Sequence, residues 1–492
     1  MTSGAAAGAP RRRLDPRVVV GVVYVGSMLM SSIDITIVNV AIPKLAEGFG
    51  VSAASAEWVV VGYLVSLAMW IPASGWFGDR FGNKRVFLTA VAVFSVASAL
   101  CGVAQSVNQL VAFRLLQGVG GGMLTPVGMA MLWRTFPPEE RARAARILII
   151  PGIVGPASGP LLGGYLVDHF SWRWVFYVNI PVGAAIFLFG VFFLHEHREP
   201  NPGGFDVGGF LLAGPGLAAL LYALGEGPGR GWASPYVLVP GAIAAVMLVA
   251  LVKVELGQPE PMLQLRLLND RLFRTMNISA LFGFGAFLGF LFLVPIFLQN
   301  VRGASAFSSG ATTFPEAVGV LCSTQLLVAR LYPRIGPRRL MMFGYTGIAT
   351  LVMVMSFVTL ETNTWVIRLI MFATGFTMAF SFLSLQAGTF ARIEPAMMGR
   401  ASAIYNAQRQ SASAMGVAIL ATVLKALMPA DGSPAGDQLH AFQMTFRVCA
   451  VLALLGAVVA YFVHDEDAAS TMVRKGKAAP ADAAASPASA GH

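Results

Sequence analysis

Apolar runs of about 20 residues recur from one end of this 492-residue chain to the other, and they limit the fold before any other feature does. A helix of that length crosses about 30 Å of hydrocarbon while pairing its own backbone N–H and C=O groups, which nothing else there would satisfy. With spans of roughly 19–26 residues, fourteen are expected. They open near Val18, Ala56, Val86, Asn108, Ala144, Trp172, Asp206, Pro235, Thr275, Ser308, Leu340, Thr364, Arg400 and Phe442. Hydrophobic residues make up 56% of the chain and charged ones 12%, against about 25% charged in a soluble domain. The expected class is an all-α polytopic membrane protein.

The charges orient it. Most of the 34 Lys and Arg fall in the alternate loops that share a side with Arg11, Arg12 and Arg13, while the opposite loops carry only Lys44, Arg173, Arg230, Arg302 and Lys425. The excess of positive charge belongs on the cytoplasmic side, so both termini are expected there, in keeping with an even number of spans. The net charge of +10 is therefore a topological signal and gives no reason to expect nucleic acid as a partner. Cys101, Cys322 and Cys449 lie in apolar stretches without metal-ligand spacing and read as small buried hydrophobes. The tails, 1–17 and 465–492, are too poor in large apolar side chains to fold and are expected to be disordered and cytoplasmic.

A repeat lies beneath the spans. "DRFGNKR" at 79–85 returns as "PRIGPRR" at 333–339: Arg80, Gly82, Lys84 and Arg85 map onto Arg334, Gly336, Arg338 and Arg339, 254 positions later. The same shift carries Arg114 onto Arg368. Duplicated halves are a mark of secondary transporters, with the substrate held between the halves near mid-membrane. Six spans with short loops need roughly 190–200 residues, so the shift leaves room for two extra helices. The expected plan is a six-helix bundle at 18–197, two inserted helices at 198–255 and a second six-helix bundle at 256–464.

Five stretches, in order, resemble the major facilitator superfamily in its fourteen-helix drug:proton antiporter branch (the EmrB/QacA type). They are "IDITIVNVAIP" (33–43), "GWFGDRFGNKR" (75–85), "RLLQGVGGG" (114–122), "GIVGPASGPLLGG" (152–164) and "WRWVFYVNIPVG" (172–183). The resemblance covers roughly 18–464. Asn83 departs from the basic residue usual at its place, and Pro333 stands where the first half has Asp79. The resemblance implies a bacterial inner or plasma membrane, gating by the 75–85 motif and a fifth-helix seal against leak.

Asp34 is the one ionisable side chain in an otherwise apolar first span, with Ser27 and Ser31 on its face at i−7 and i−3. An intramembrane acid of this kind either takes and releases protons or stays neutral and hydrogen-bonds a neighbouring helix; the resemblance favours the first. Arg114 is its natural counter-charge, since a guanidinium cannot shed its proton, or else it snorkels to the nearby outer interface. Glu316, Arg409 and Asn39 are the candidate substrate-binding residues. Glu316 follows Pro315, so a backbone break there would open it to a cavity, unless it sits at the outer interface. Arg409, between Gln408 and Gln410, would bind an anionic group or counter Glu316. Gly75, Gly78 and Gly82 permit a tight turn around Asp79, Arg80, Lys84 and Arg85, with Asp79 bonding those bases or a helix N-terminus of the other half. Gly152, Gly155, Pro156, Gly159, Pro160, Gly163 and Gly164 form the antiporter motif, where close glycine packing alone would also account for the spacing.

The expected function is export of amphipathic, cationic drugs or toxic compounds in exchange for protons, with export of one metabolite or self-made antibiotic as the alternative. No phosphate-binding G-x-x-x-x-G-K-[ST] occurs, no nucleophile–base spacing suggests an enzyme, and no cofactor or metal is expected beyond the proton gradient itself. The partners are a small molecule, protons and the lipid bilayer, plus an adaptor protein where the envelope has two membranes.

Overall fold

Helix starts are written into the chain as short oxygen-bearing side chains ahead of apolar runs. Asp15, Ser52, Ser106, Asp206, Asp270, Ser305 and Asn363 each accept a backbone N–H in the first turn that follows them. The computed structural model describes residues 14–200, 203–258, 261–429 and 435–472, and the described residues contain helices and no strand.

The first half comprises α1 (Pro16–Phe49), α2 (Ala53–Phe81), α3 (Asn83–Val103), α4 (Val107–Thr135), α5 (Arg141–His169), the short α6 (Trp174–Tyr177) and α7 (Asn179–Phe193). An inserted pair follows, α8 (Val207–Arg230) and α9 (Pro235–Gly257). The second half comprises α10 (Arg271–Ile296), α11 (Ala306–Ser323), α12 (Ala329–Ile335), α13 (Pro337–Met355), α14 (Thr364–Gly388), α15 (Met398–Leu427) and α16 (Ala435–Tyr461). Thirteen of the fourteen expected spans begin within four residues of the start of one of these helices, and α16 starts seven residues ahead of the expected Phe442. Among the described residues, twelve helical segments are long and apolar enough to cross a membrane. The polar openings of α5 and α13, "RARAAR" and "PRR", coincide with the two expected spans outside that set.

Packing repeats as the sequence does. α1 lies on α5 as α10 lies on α15; α2 on α4 as α11 on α14; α3 on α4 as α13 on α14; and α3 on α7 as α13 on α16. The halves meet along α2 and α15, α4 and α15, and α5 and α14. α8 lies over the seam, touching α2 and α15 together. Trp58 stacks on Tyr222 at 5.7 Å and Trp70 meets Phe210 with tilted rings at 5.4 Å, while Lys425 donates to the carbonyls of Pro228 and Gly229 at 2.9 and 2.8 Å.

Gly82 and Gly336 turn the chain between α2 and α3 and between α12 and α13 with φ of +97° and +89°, a conformation that excludes most side chains. At each turn an acid from a distant segment receives the freed N–H groups of the next helix. Glu196 accepts from Lys84 N (3.0 Å) and Arg85 N (3.2 Å), and Asp465 accepts from Arg338 N (2.9 Å). These acids lie 269 positions apart rather than 254, so the sequence repeat alone does not pair them.

Three expectations need correction. Gly75 and Gly78 are not part of the turn: backbone hydrogen bonding carries α2 through to Phe81, and only Gly82 needs a positive φ. Pro315 does not break its helix, since α11 runs on to Ser323; the irregularity is a π-helical turn at Thr324–Val328. The expected C-terminal tail starts too early, because Asp465–Thr471 forms a 3₁₀ turn with Ala468 buried and Thr471 bonded to the Tyr332 hydroxyl at 2.8 Å. The N-terminal tail overlaps α1 at Pro16, and residues 1–13 and 473–492 lie outside the described ones.

Candidate functional site

A carboxylate in a low-dielectric interior persists only if its lone pairs are met by donors. Asp34 has three. Arg114 Nη1 donates to Oδ2 at 2.6 Å, and Gln117 Nε2 and Asn179 Nδ2 donate to Oδ1 at 2.9 and 2.8 Å. α1 supplies the acid, α4 supplies Arg114 and, one turn on, Gln117, and Asn179 opens α7 where the chain bends out of α6. Asp34, Arg114 and Gln117 have no solvent exposure, so Arg114 turns inward and does not snorkel.

The guanidinium is held by more than the acid. Arg114 Nε donates to the Val59 carbonyl at 3.1 Å, Nη1 also donates to Gln117 Oε1 at 2.8 Å, and the group lies 4.2 Å from the centroid of the Tyr63 ring. The Tyr63 hydroxyl lies 3.3 Å from Ser31 Oγ, and Asn179 also donates to Ser98 Oγ at 3.0 Å. The sequence reading found Asp34, Arg114 and Ser31 and missed Gln117, Asn179 and Tyr63. The signal was present: an amide inside an apolar span, as in "RLLQ" and "FYVN", is costly unless a partner waits for it. Asn39 does not join this group. It is five residues beyond Asp34, about 140° around the helix, and it is exposed.

The 75–85 motif forms an ionic junction. Asp79 accepts from Arg134 Nη2 at 3.0 Å, and the same nitrogen lies 3.2 Å from Glu199. Arg134 Nε donates across to the Pro395 carbonyl of the second half at 3.0 Å. The Asp79 carboxylate also lies against the first turn of α15, where a methyl group on Gly399 would sit 3.1 Å from Oδ1. A methyl on Gly75 would meet the Gly399 carbonyl at 2.7 Å, so small residues on both sides set the approach. The expected partners of Asp79 in its own loop are otherwise engaged. Lys84 caps the carbonyls of Val191 and Leu194, Arg85 pairs with Glu196 at 3.7 Å, and Arg80 is exposed. Lys84 and Arg85 sit past the turn at Gly82, and Arg80, still on α2, points to solvent, while Asp79 faces α4.

On α5, Gly155, Gly159 and Gly163 pack against Ser32, Thr36 and Ile37 of α1. Among the described residues, Gly152 and Gly164 have no neighbour within 4 Å of a would-be Cβ, so they take no part in that contact. The side chains of Pro156 and Pro160 lie outside those described. Glu316 is buried on α11 with Oε1 unpartnered, and among the described residues it makes no ion pair with Arg409. Arg368, the repeat counterpart of Arg114, lies half-buried at 4.6 Å from the Trp365 ring; the second half offers no equivalent of Asp34 for it to join.

Residues 24–417 match the sequence profile of the Major Facilitator Superfamily. The chain belongs to that superfamily. This Major Facilitator Superfamily protein is 32% identical over 434 residues to the "Multidrug resistance protein B homolog" of Mycobacterium tuberculosis, covering 85% of this chain and 79% of the relative. It is 30% identical over 453 residues to the "Putative multidrug resistance protein MdtD" of Klebsiella pneumoniae, covering 91% and 94%. Among solved structures, that of the human organic anion transporter MFSD10 superposes with a TM-score of 0.67 at 16% identity, covering 91% of this chain and all of that one; this likeness concerns the fold. The protein is thus a multi-pass superfamily transporter with bacterial multidrug-resistance relatives.

Proposed function

We propose that this transporter exports amphipathic, cationic drugs or toxic compounds in exchange for protons, and that Asp34 carries the proton. The observation that supports this most is the Asp34–Arg114 pair, fully buried yet provided with a second set of partners for the cation. When Asp34 takes a proton its attraction for Arg114 falls, and the guanidinium keeps the Val59 carbonyl, Gln117 Oε1 and the Tyr63 ring. A site built this way keeps the guanidinium hydrogen-bonded when the acid takes a proton, although its charge is then uncompensated, which couples protonation to a change of state. The gradient supplies about 2.3 kcal/mol per charge per 100 mV and about 1.4 kcal/mol per pH unit, with no cofactor or metal.

In this reading α5 and α13 also cross the membrane, giving fourteen spans, two six-helix halves and the inserted α8–α9 pair, with both termini cytoplasmic. The Arg134 junction then closes the cytoplasmic side, and its opening would accompany the return of the carrier. Glu316 and Arg409 are the substrate-facing charges, and the α5–α1 glycine contact limits leak. An adaptor would be needed only in a two-membrane envelope. The multidrug names of the relatives favour broad substrates over a single metabolite.

The test is reconstitution in liposomes holding a pH-sensitive dye, with drug-dependent proton movement compared between wild type and Asp34→Asn. Movement in wild type alone supports the reading. Equal movement in both removes Asp34 from the role.

A further inference from the structure

The charges of the second half are not balanced as those of the first are. Arg409 is the twelfth residue of the 30-residue α15, about 16 Å from its start and so near the middle of a membrane crossing. Among the described residues, no carboxylate lies within ion-pair distance of it. Its contacts are neutral: Nη2 donates to Asn406 Oδ1 at 3.2 Å, and the group lies 5.8 Å from the centroid of the Phe284 ring. Asn406 in turn reaches the Met129 sulfur of the first half at 3.6 Å, so Arg409 stands beside the seam between the halves. Its Nε is buried without a partner, as is the hydroxyl of Tyr405 one turn earlier on the same face.

A guanidinium keeps its charge at any working pH, and its planar edge of N–H donors fits a carboxylate with two parallel hydrogen bonds. Held near mid-membrane without an acid of its own, it repels a purely cationic molecule and attracts an anionic group. Glu316, buried on α11 with Oε1 unpartnered, is a second intramembrane acid of the same half. We propose that Arg409 receives the carboxylate of the transported molecule, so that the preferred substrates are zwitterionic amphipaths, bearing an acid and a basic amine, rather than simple cations. This rests on the exporter reading and replaces its simple cations with zwitterions as the preferred substrates.

The full-length carrier in liposomes under an imposed pH gradient would be offered norfloxacin (a zwitterion), its ethyl ester (a cation) and ethidium (a permanent cation), with norfloxacin binding to the purified protein measured alongside. Arg409→Gln should raise the KM and Kd for norfloxacin at least tenfold, about 1.4 kcal/mol. The ester and ethidium, which the Arg409 charge repels, should be moved by the variant as well as or better than by wild type, which also reports that the variant is folded. Arg409→Lys should fall between. Equal losses for acid and ester would overturn the proposal in favour of a structural role, as would a wild type that moves ethidium but neither moves nor binds norfloxacin. A wild type that moves none of the three yet binds norfloxacin through Arg409 would sink the exporter reading and leave the anion site standing. Absence of both transport and binding would remove the two together.

Discussion

Arg134 holds Asp79 at 3.0 Å with one nitrogen and the Pro395 carbonyl at 3.0 Å with another, so one side chain of α4 ties the end of α2 to the chain entering α15. Charge-assisted hydrogen bonds of this kind contribute about 1.5–3 kcal/mol each. Asp79→Asn or Arg134→Gln should therefore favour opening at this end. With Ser402, fully buried early in α15, replaced by cysteine, labelling by an impermeant maleimide from that face should rise about tenfold. Unchanged labelling would mean that the junction does not hold the closed form.

The Asp34–Arg114 pair predicts a non-additive stability cycle. Arg114→Gln leaves a buried carboxylate without its cation and should cost about 3–5 kcal/mol. Adding Asp34→Asn removes the stranded charge, so the double variant should recover much of that loss. Thermal denaturation of the four proteins in detergent measures the coupling, and additive losses would contradict a direct pair.

Two glycines of one motif should behave oppositely. A Cβ at Gly159 would lie 2.8 Å from Thr36 Cβ and 3.2 Å from Ile37 N, so Gly159→Val should destabilise the protein by about 1–3 kcal/mol. Gly152 has nothing within 4 Å, and Gly152→Ala should be neutral or stabilising by about 0.5–1 kcal/mol through helix propensity. Melting temperatures of the two variants decide it; equal destabilisation would contradict the packing.

Glu196 and Asp465 do the same work at equivalent turns, each receiving the first N–H groups of a helix. Glu196→Gln and Asp465→Asn should each cost about 0.5–2 kcal/mol. The turns lie in different halves, so the costs should add. A markedly larger cost in the double variant would indicate that the turns are coupled.

Hydrocarbon length and the 254-residue repeat determined the all-helical membrane class and the duplication, because each is a local or periodic constraint that any fold of this chain must obey; of the fourteen expected spans, twelve helical segments among the described residues are long and apolar enough to cross. Asp34 and Arg114 were legible for the same reason: an ionisable group in an apolar run has few affordable environments. Which partners gather around them was decided in three dimensions. Gln117 and Asn179 lie 83 and 145 positions from Asp34, and they reach it only because α4 and the bend into α7 pack on α1. Arg134 meets Asp79 because the turn at Gly82 carries Lys84 and Arg85 away and the next position along α2 leaves Arg80 exposed. The pairing of Glu196 with Asp465 is hidden by the drift from 254 to 269 positions. Periodicity reports which face of a helix is apolar, but which helix lies against it follows from packing, and so do the partners of each buried charge.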